Sequence, residues 1–434
     1  MIHSPRPLYG RLVFGLTLVA ALSIGGEGWL AGQVTKPKAK APAATANEEL
    51  SKYLRPLAGN DSPIEVGKTV SLELANGKTL TMVEVTDALL DKGNETLKFL
   101  TVAEAGGKKK QKFAANLISR LQGDQTEYEL VLDPAKRGYV LIDVTARDAD
   151  VNEQLKTMNH RLWPAQTDDE RAKTIDDYKS FLKRVQSSSQ APLFVHETQF
   201  FLFMTDLPAN QVAPYVANLD RMYAKLCELL GLSKTKNLFL GKCIIVAFNT
   251  EESFLAFEEK FLDNPNAKGA GGLAHGSSDG RAIISCFRGS NPPPNFGGLM
   301  VHETTHGVMH RVRSTMDLPK WIGEGLAEWM RYAVVPIASD LERQKKSVQR
   351  VQQTGNLGGN FFEKHAKLES WQYDMGWHFV NYLIQLDPAR FRAFMMYQKE
   401  GDTPDEAMGR SYGSTLPEML AQYGRSIGVP NLRP

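Results

Sequence analysis

Cysteine is scarce in this chain of 434 residues, which has only Cys227, Cys243 and Cys286. No two of them stand in a C-x-x-C pair, so a cysteine-based zinc site is excluded, and three residues form no disulfide framework. Cys227 falls on the apolar face of a predicted helix and the other two fall within predicted strands. All three are therefore expected to be small buried hydrophobic residues. A Cys243–Cys286 disulfide remains an alternative if those two strands are neighbours.

A strong excess of one charge is also absent. The chain has 51 Lys and Arg residues against 49 Asp and Glu residues, which gives a formal net charge of +2. Nothing in this balance favours nucleic acid or an anionic membrane surface as the principal partner.

Long apolar runs are missing as well. The apolar, uncharged run from Leu12 to Ile24 has thirteen residues, whereas a membrane-spanning helix needs about twenty. Because Arg6 and Arg11 precede this run, residues 1–32 are predicted to be a secretory signal peptide or, without cleavage, an N-terminal anchor. Both alternatives imply export to the periplasm, the cell envelope or the medium, and the second adds a membrane tether.

The next segments show two changes of pattern. Residues 33–47 are rich in Lys, Pro, Ala and Thr without an apolar period, which predicts a disordered linker. Residues 48–147 alternate with period two, and turns are predicted at Asn76-Gly77, Gly106-Gly107 and Asp133-Pro134. This part is predicted to be a small all-β domain, a barrel of the SH3-like kind.

Residues 148–190 are predicted to be a helical connector, because a helical apolar period runs through many charged residues and ends in a serine-rich turn. A single strand is predicted next, over residues 196–207. His160, His310 and His365 have no partner motif and are expected to lie at the surface.

The chemically informative stretch is His302-Glu303-Thr304-Thr305-His306. On a helix, two histidines four residues apart lie on the same face, so both imidazoles can reach one metal ion. Glu303 adjoins the first histidine, which places its carboxylate beside an open coordination position, where it can take a proton from water.

A third ligand is expected from Glu324. Seventeen residues separate it from His306, enough for a turn at Leu318-Pro319 and the start of a second helix, in whose first turn proline is tolerated. Two histidines and a glutamate form the ligand set of an open, catalytic zinc site. Glu328, one helical turn later, is predicted to accept a hydrogen bond from the free ring nitrogen of a ligand histidine.

HETTH followed by LPKWIGEGLAEW resembles the gluzincin zinc metallopeptidases, in particular exported bacterial "peptidase MA-like" proteins with the pattern H-E-x-x-H, then L-P-x-W-x-x-E-G-x-A-E. The resemblance covers roughly residues 192–400. It implies zinc (Zn²⁺) on His302, His306 and Glu324, with Glu303 as general base. It also implies a zincin-like metallopeptidase domain, which we place at residues 191–434, so the whole chain is expected to be α+β.

The same resemblance suggests further roles. Residues 272–286 are similar to the edge strand that zincins place beside the metal cleft, and His275 on it is expected to be a polar edge position, with an orientation into the site as the alternative. The polar stretch 339–365 lies where related enzymes often have a mobile connection.

Amide hydrolysis also needs a donor for the developing oxyanion. Family members have Y-x-x-S-W where this chain has Tyr373-Asp374-Met375-Gly376-Trp377, with Gly in place of Ser. Tyr373 is therefore a candidate catalytic donor. A packed helix tyrosine is the alternative, and His378 is the substitute donor.

The sequence thus predicts a zinc-dependent metallopeptidase acting on a peptide or protein substrate. Two alternatives stay open: a non-catalytic zinc-binding envelope protein, and a zinc hydrolase acting on a non-peptide substrate such as a cell-wall cross-link.

Overall fold

The computed structural model describes residues 50–74, 78–104, 107, 109–123, 125–133 and 136–434. They form a mixed α+β fold with a large antiparallel sheet in the N-terminal part and a helical C-terminal region. The predictions for residues 1–32 and 33–47 lie outside the described residues, as do Asn76, Gly77, Gly106 and Pro134 of the predicted turns. None of the described helices has the combined length and apolar character that crossing a membrane requires.

The N-terminal sheet has eight antiparallel strands in the order β1-β8-β7-β6-β2-β3-β4-β5. The strands are β1 (Leu54–Arg55), β2 (Thr69–Leu74), β3 (Thr79–Leu90), β4 (Leu97–Glu104), β5 (Lys110–Ala114), β6 (Ile118–Gly123), β7 (Thr126–Asp133) and β8 (Gly138–Asp143). Alternate side chains of β2, from Val70, Leu72 and Leu74, are buried, as the period-two pattern predicts. β8 also pairs with β4, where Tyr139 faces Leu97, so the sheet curls toward closure. The prediction of antiparallel β-structure in this part is confirmed.

Two helices follow, α1 (Val144–Thr157) and α2 (Asp168–Ser188). The side chain of Asp143 caps α1, and Thr167 and Glu170 form a capping box at the start of α2. Helix α2 is more than a connector, because its buried residues Tyr178, Leu182 and Val185 join a hydrophobic cluster with the second sheet.

The second sheet has the strand order β12-β13-β11-β10-β9. Its strands are β9 (Phe194–Glu197), β10 (Phe201–Thr205), β11 (Cys243–Phe248), β12 (Gly272–Gly276) and β13 (Ala282–Phe287). The three central strands are parallel, because helices α3 (Ala209–Leu230) and α4 (Glu251–Leu262) supply the crossovers. The prediction of a single strand over residues 196–207 is wrong: Thr198 starts a tight turn, and its Oγ1 accepts a hydrogen bond from the backbone N–H of Phe201 at 3.0 Å.

The cysteines are free and buried, which confirms the prediction that they are small core residues. The alternative of a Cys243–Cys286 disulfide is wrong. Cys286 pairs with Ala247, four residues along β11 from Cys243, a separation of about 13 Å at the usual rise per residue. A disulfide requires Cα atoms within about 7 Å.

The C-terminal region is helical. Its helices are α5 (Pro293–Arg311), α6 (Lys320–Val334), α7 (Asp340–Thr354), α8 (Ser370–Leu386), α9 (Pro388–Lys399), α10 (Pro404–Tyr412) and α11 (Leu416–Ser426). The largest hydrophobic core lies between these helices and the second sheet and includes the fully buried Trp321 and Phe379. The stretch expected to be a mobile connection contains the regular helix α7, which ends at Gly355 in the left-handed region with φ of 68°.

Candidate metal centre

Helix α5 carries the first two predicted ligands. Pro293 occupies its first turn, where the missing N–H costs no hydrogen bond. His302 is buried and His306 half-buried, and their Nε2 atoms lie 3.3 Å apart. The four-residue spacing therefore produces the shared face that the sequence predicts.

Helix α6 brings the third predicted ligand to the same point. Oε2 of Glu324 lies 3.2 Å from Nε2 of His302 and 3.2 Å from Nε2 of His306. A ligand distance of about 2.1 Å in tetrahedral coordination places neighbouring donors about 3.4 Å apart. The triangle formed by these three atoms is close to that size, so His302, His306 and Glu324 form a candidate metal-binding cluster.

The charges of this cluster favour a cation at its centre. Burial raises the pKa of Glu324, but hydrogen bonding to His302 and His306 outweighs burial and lowers that pKa far below its ordinary value. Burial lowers the pKa of His302, and hydrogen bonding to Glu324 and Glu328 outweighs it and raises the pKa well above 6.5. Both shifts show that the carboxylates stabilise positive charge at this point.

Glu328 lies where the sequence predicts it. Its Oε1 is 3.0 Å from Nδ1 of His302, so it can accept the Nδ1–H hydrogen bond that leaves Nε2 free for a metal. Burial raises the pKa of Glu328, but the contacts with His302, Arg331 and Arg343 lower it to about 2. Its carboxylate is therefore ionised at neutral pH.

Glu303 is half-buried and faces the edge strand β12. A Cβ atom placed on Gly272, the first residue of that strand, would lie 3.0 Å from Cγ of Glu303. Glycine at this position lets the strand approach the Glu303 side chain closely. The Glu303 side chain of α5 therefore lies against the first residue of an edge strand.

Tyr373 of α8 lies against the cluster. Its ring stacks on that of His302 with centroids 6.5 Å apart and an interplanar angle of 28°. Burial, followed by the charges of Glu324 and Glu303, raises the pKa of the Tyr373 hydroxyl to about 12. The hydroxyl therefore remains a hydrogen-bond donor at neutral pH.

Gly376 has a packing reason. A Cβ atom on Gly376 would lie 3.0 Å from the backbone O of Trp321, and one on Gly325 would lie 2.5 Å from the backbone O of Gly376. The backbones of α6 and α8 therefore touch at this crossing. This close approach positions Tyr373 beside the ligands on α5 and α6.

His378 is a poor substitute for Tyr373. In the described part of the chain no contact joins it to the three ligands, and its ring packs against Trp377 with centroids 4.7 Å apart. Burial lowers the pKa of His378 to about 4, so its imidazole is neutral at neutral pH. The structure thus favours Tyr373 over His378 as the nearby donor.

Four other histidines considered from the sequence do not belong to the cluster. His275 faces the other side of the sheet, where its Nε2 is 3.0 Å from Oε1 of the buried Glu258; the alternative that it faces the site is wrong. His365 is exposed, as expected. The prediction of a surface position is wrong for His310, which packs on Trp163 with ring centroids 5.2 Å apart. His160 is only half exposed and contacts Thr315.

Sequence analysis did not find four charged residues behind His302, namely Arg331, Asp340, Arg343 and Asp374. Arg331 has a weak sequence signal, because it follows Glu328 by three residues on the same helix. The other three are brought together only by the packing of α6, α7 and α8.

Comparisons with known proteins give little further information. No family model and no curated protein matches this chain. One structurally similar chain is described as the crystal structure of a functionally unknown conserved protein from Bacillus anthracis str. Ames. The match has a TM-score of 0.30 and 10% sequence identity, and it covers 88% of this chain and 69% of the other. At this TM-score the match carries no inference about fold or function.

Proposed function

We propose that the protein is a zinc-dependent metallopeptidase of the zincin-like, gluzincin type. The observation that supports this most strongly is the triangle of His302 Nε2, His306 Nε2 and Glu324 Oε2, with separations of 3.2–3.3 Å. Two imidazoles and one carboxylate suit zinc and leave a fourth position for water or substrate.

The surrounding residues have roles that fit this chemistry. When bound, zinc supplies Lewis acidity, which lets water lose a proton near neutral pH and polarises a carbonyl group. Glu303 accepts the proton of the attacking water and then passes it to the leaving amine. Tyr373 donates a hydrogen bond to the oxyanion that develops on the carbonyl. Glu328 keeps His302 in the tautomer that offers Nε2 to the metal.

The edge strand supports an extended peptide or protein as substrate. In the described part of the chain β12 pairs only with β13, so its outer edge is available for backbone hydrogen bonds to a substrate strand. Gly272 at the start of β12 adjoins Glu303, and this closeness supports a substrate strand bound near the proposed general base. We propose no nucleic-acid partner, and we propose export, with a membrane tether only through residues 1–32.

The test is cleavage of a diverse, unstructured peptide library by the zinc-loaded protein, compared with its Glu303→Gln variant. We expect Glu303→Gln to bind zinc as the wild type does and to lose about 10²–10⁴-fold in kcat, the usual contribution of a general base. His302→Ala should lose both zinc and activity. Full activity in Glu303→Gln would contradict the mechanism.

A lack of cleavage by the wild type, with zinc confirmed in the sample, would contradict the peptidase proposal. The two alternatives would then take its place: a zinc hydrolase acting on a non-peptide substrate such as a cell-wall cross-link, or a non-catalytic zinc-binding envelope protein.

A further inference from the structure

Three buried carboxylates lie behind His302, on the side away from its Nε2. Glu328, Asp340 and Asp374 are only 8%, 2% and 1% exposed. Glu328 belongs to α6, Asp340 to α7 and Asp374 to α8, so the group joins three helices. Buried charges of one sign require cations nearby.

Arg331 pairs with two of these carboxylates. Its Nε donates to Oε2 of Glu328 at 2.9 Å. Its Nη1 and Nη2 donate to the two oxygens of Asp340 at 3.0 and 2.8 Å. Among the described residues, the ion pairs of Arg331 reach Glu328 and Asp340 but not Asp374.

Arg343 is the cation that pairs with Asp374, and it also contacts Glu328. Its Nε lies 2.9 Å from Oδ1 of Asp374, and its Nη2 donates to Oε2 of Glu328 at 3.1 Å. Ser347, one turn later on α7, donates to the other oxygen of Asp374 at 2.8 Å. The planar guanidinium of arginine suits such a bridge because it offers several donors in fixed directions.

This bridge connects two groups that act at the metal centre. Glu328 presents its other oxygen to Nδ1 of His302, and Asp374 is the immediate neighbour of Tyr373, whose ring stacks on His302. Without Arg343, Asp374 would keep its hydrogen bond from Ser347 but would lose its one ion-pair partner among the described residues. Both His302 and Tyr373 would then lose a constraint on their orientation.

We propose that Arg343 is a positioning residue of the metal centre, which holds Glu328 against His302 and the start of α8 against α6. This inference rests on the proposed zinc function of the same site. In this proposal a residue of α7 fixes the orientation of His302 through its Nδ1 side, opposite the Nε2 that faces the metal. Arg343 contacts none of the three ligands itself and acts through Glu328 and Asp374.

The test measures zinc affinity by competition with a chromogenic chelator, using the full chain and its Arg343→Gln variant. We expect zinc binding to weaken by up to about 10-fold, because Glu328 keeps Arg331 and the full range of about 10–100-fold applies when the histidine's own partner is lost. Arg343→Lys should recover only part of the loss, since a single ammonium is a point charge and cannot reproduce the fork of donors.

Arg350→Gln is the matched control. Arg350 lies two turns later on α7, is 52% exposed in its side chain against 47% for Arg343, and pairs with Glu369 at 3.7 Å. Among the described residues, no ion pair joins Arg350 to Glu328 or Asp374, so its substitution should leave zinc affinity within about twofold of the wild type, as expected for a surface pair.

A merely structural role would give a different result. Arg343→Gln would then lower the Tm of the protein in excess chelator while zinc affinity remained at the wild-type value, and that outcome would overturn the inference. If Arg343→Gln does not fold, Asp374→Asn replaces it, because it removes the charge that Arg343 pairs with and keeps the shape of the side chain. We expect several-fold weaker zinc binding from Asp374→Asn, and wild-type affinity would again overturn the inference.

The experiments distinguish failure of the zinc peptidase proposal from failure of the inference about Arg343. If the wild type itself binds no zinc, the zinc proposal and the inference both fall. If the wild type binds zinc and cleaves peptides while Arg343→Gln has the same affinity and the same activity, only the inference falls.

Discussion

At the residue scale, Tyr373 is where a chemical role and a packing role are hardest to separate. Its ring packs on His302, and this contact would survive removal of the hydroxyl. Its hydroxyl has a pKa near 12 because of burial and the neighbouring carboxylates. The Tyr373→Phe variant removes the hydroxyl and keeps the ring, so it tests the chemical role separately from the packing role.

We expect Tyr373→Phe to lower kcat about 10²-fold, because one preorganised oxyanion donor contributes roughly that much, with KM and bound zinc unchanged. The measurement is steady-state cleavage of a peptide selected from the library. Tyr382→Phe is the control, since Tyr382 is a half-buried tyrosine of the same helix whose ring contacts Tyr423. Equal kcat in the two variants would leave Tyr373 as a packing residue only.

At the element scale, the position of the ligands depends on how closely α6 and α8 approach. Gly325 and Gly376 bring the two backbones into contact. A side chain at this crossing must push against the peptide backbone, which cannot rotate away as a flexible side chain can. The contact also keeps Tyr373 of α8 near Glu324 of α6.

Gly325→Ala should lower the free energy of unfolding by about 2–3 kcal/mol, because its Cβ would lie 2.5 Å from the backbone O of Gly376. Gly409→Ala on α10 is the matched control, since no atom lies within 4 Å of its Cβ position. Alanine there should stabilise by about 0.5–1 kcal/mol through helix propensity. Urea unfolding in excess chelator measures both effects, and a stabilising Gly325→Ala would disprove the close crossing.

At the scale of the whole molecule, the N-terminal sheet and the helical region are joined at Arg313, two residues after the end of α5. Arg313 donates to both oxygens of Asp148 on α1 at 3.0 and 2.7 Å and to Glu400 at 2.8 Å. Beside it, Leu162 and Ser314 form an antiparallel bridge. The segment between the two ligand-bearing helices is thus fixed to the chain that leaves the N-terminal sheet.

Arg313→Ala should cost about 2–3 kcal/mol, since it leaves two partly buried carboxylates without their common partner. We also expect calorimetry to show one unfolding transition for the wild type and two for Arg313→Ala, because the contacts between the two parts are weakened. Lys234→Ala removes an exposed pair with Glu228 and should change stability by less than about 0.5 kcal/mol. One transition at an unchanged Tm for Arg313→Ala would rule out this role.

The sequence predicted features that depend on residues close together along the chain. The His302–His306 spacing follows from the period of an α-helix, and the alternation in β2 follows from the period of a strand. Glu324, which follows the predicted turn at Leu318-Pro319, also lies beside His302 and His306 as the sequence predicts. The sequence did not predict the break in the strand expected over residues 196–207. The hydroxyl of Thr198 accepts a hydrogen bond from the N–H of Phe201 and stabilises a turn there. An apolar pattern gives no sign of such a turn.

Only the tertiary structure decided which residues support the ligands from behind. Arg343 and Asp374 are thirty-one residues apart, and no periodic pattern links them, since their contact depends on how α7 packs across α6 and α8. The same holds for His275 of strand β12, whose partner Glu258 lies on helix α4. Local sequence fixes backbone conformation and the spacing of side chains on one element, whereas contacts between elements depend on the packing of the whole core.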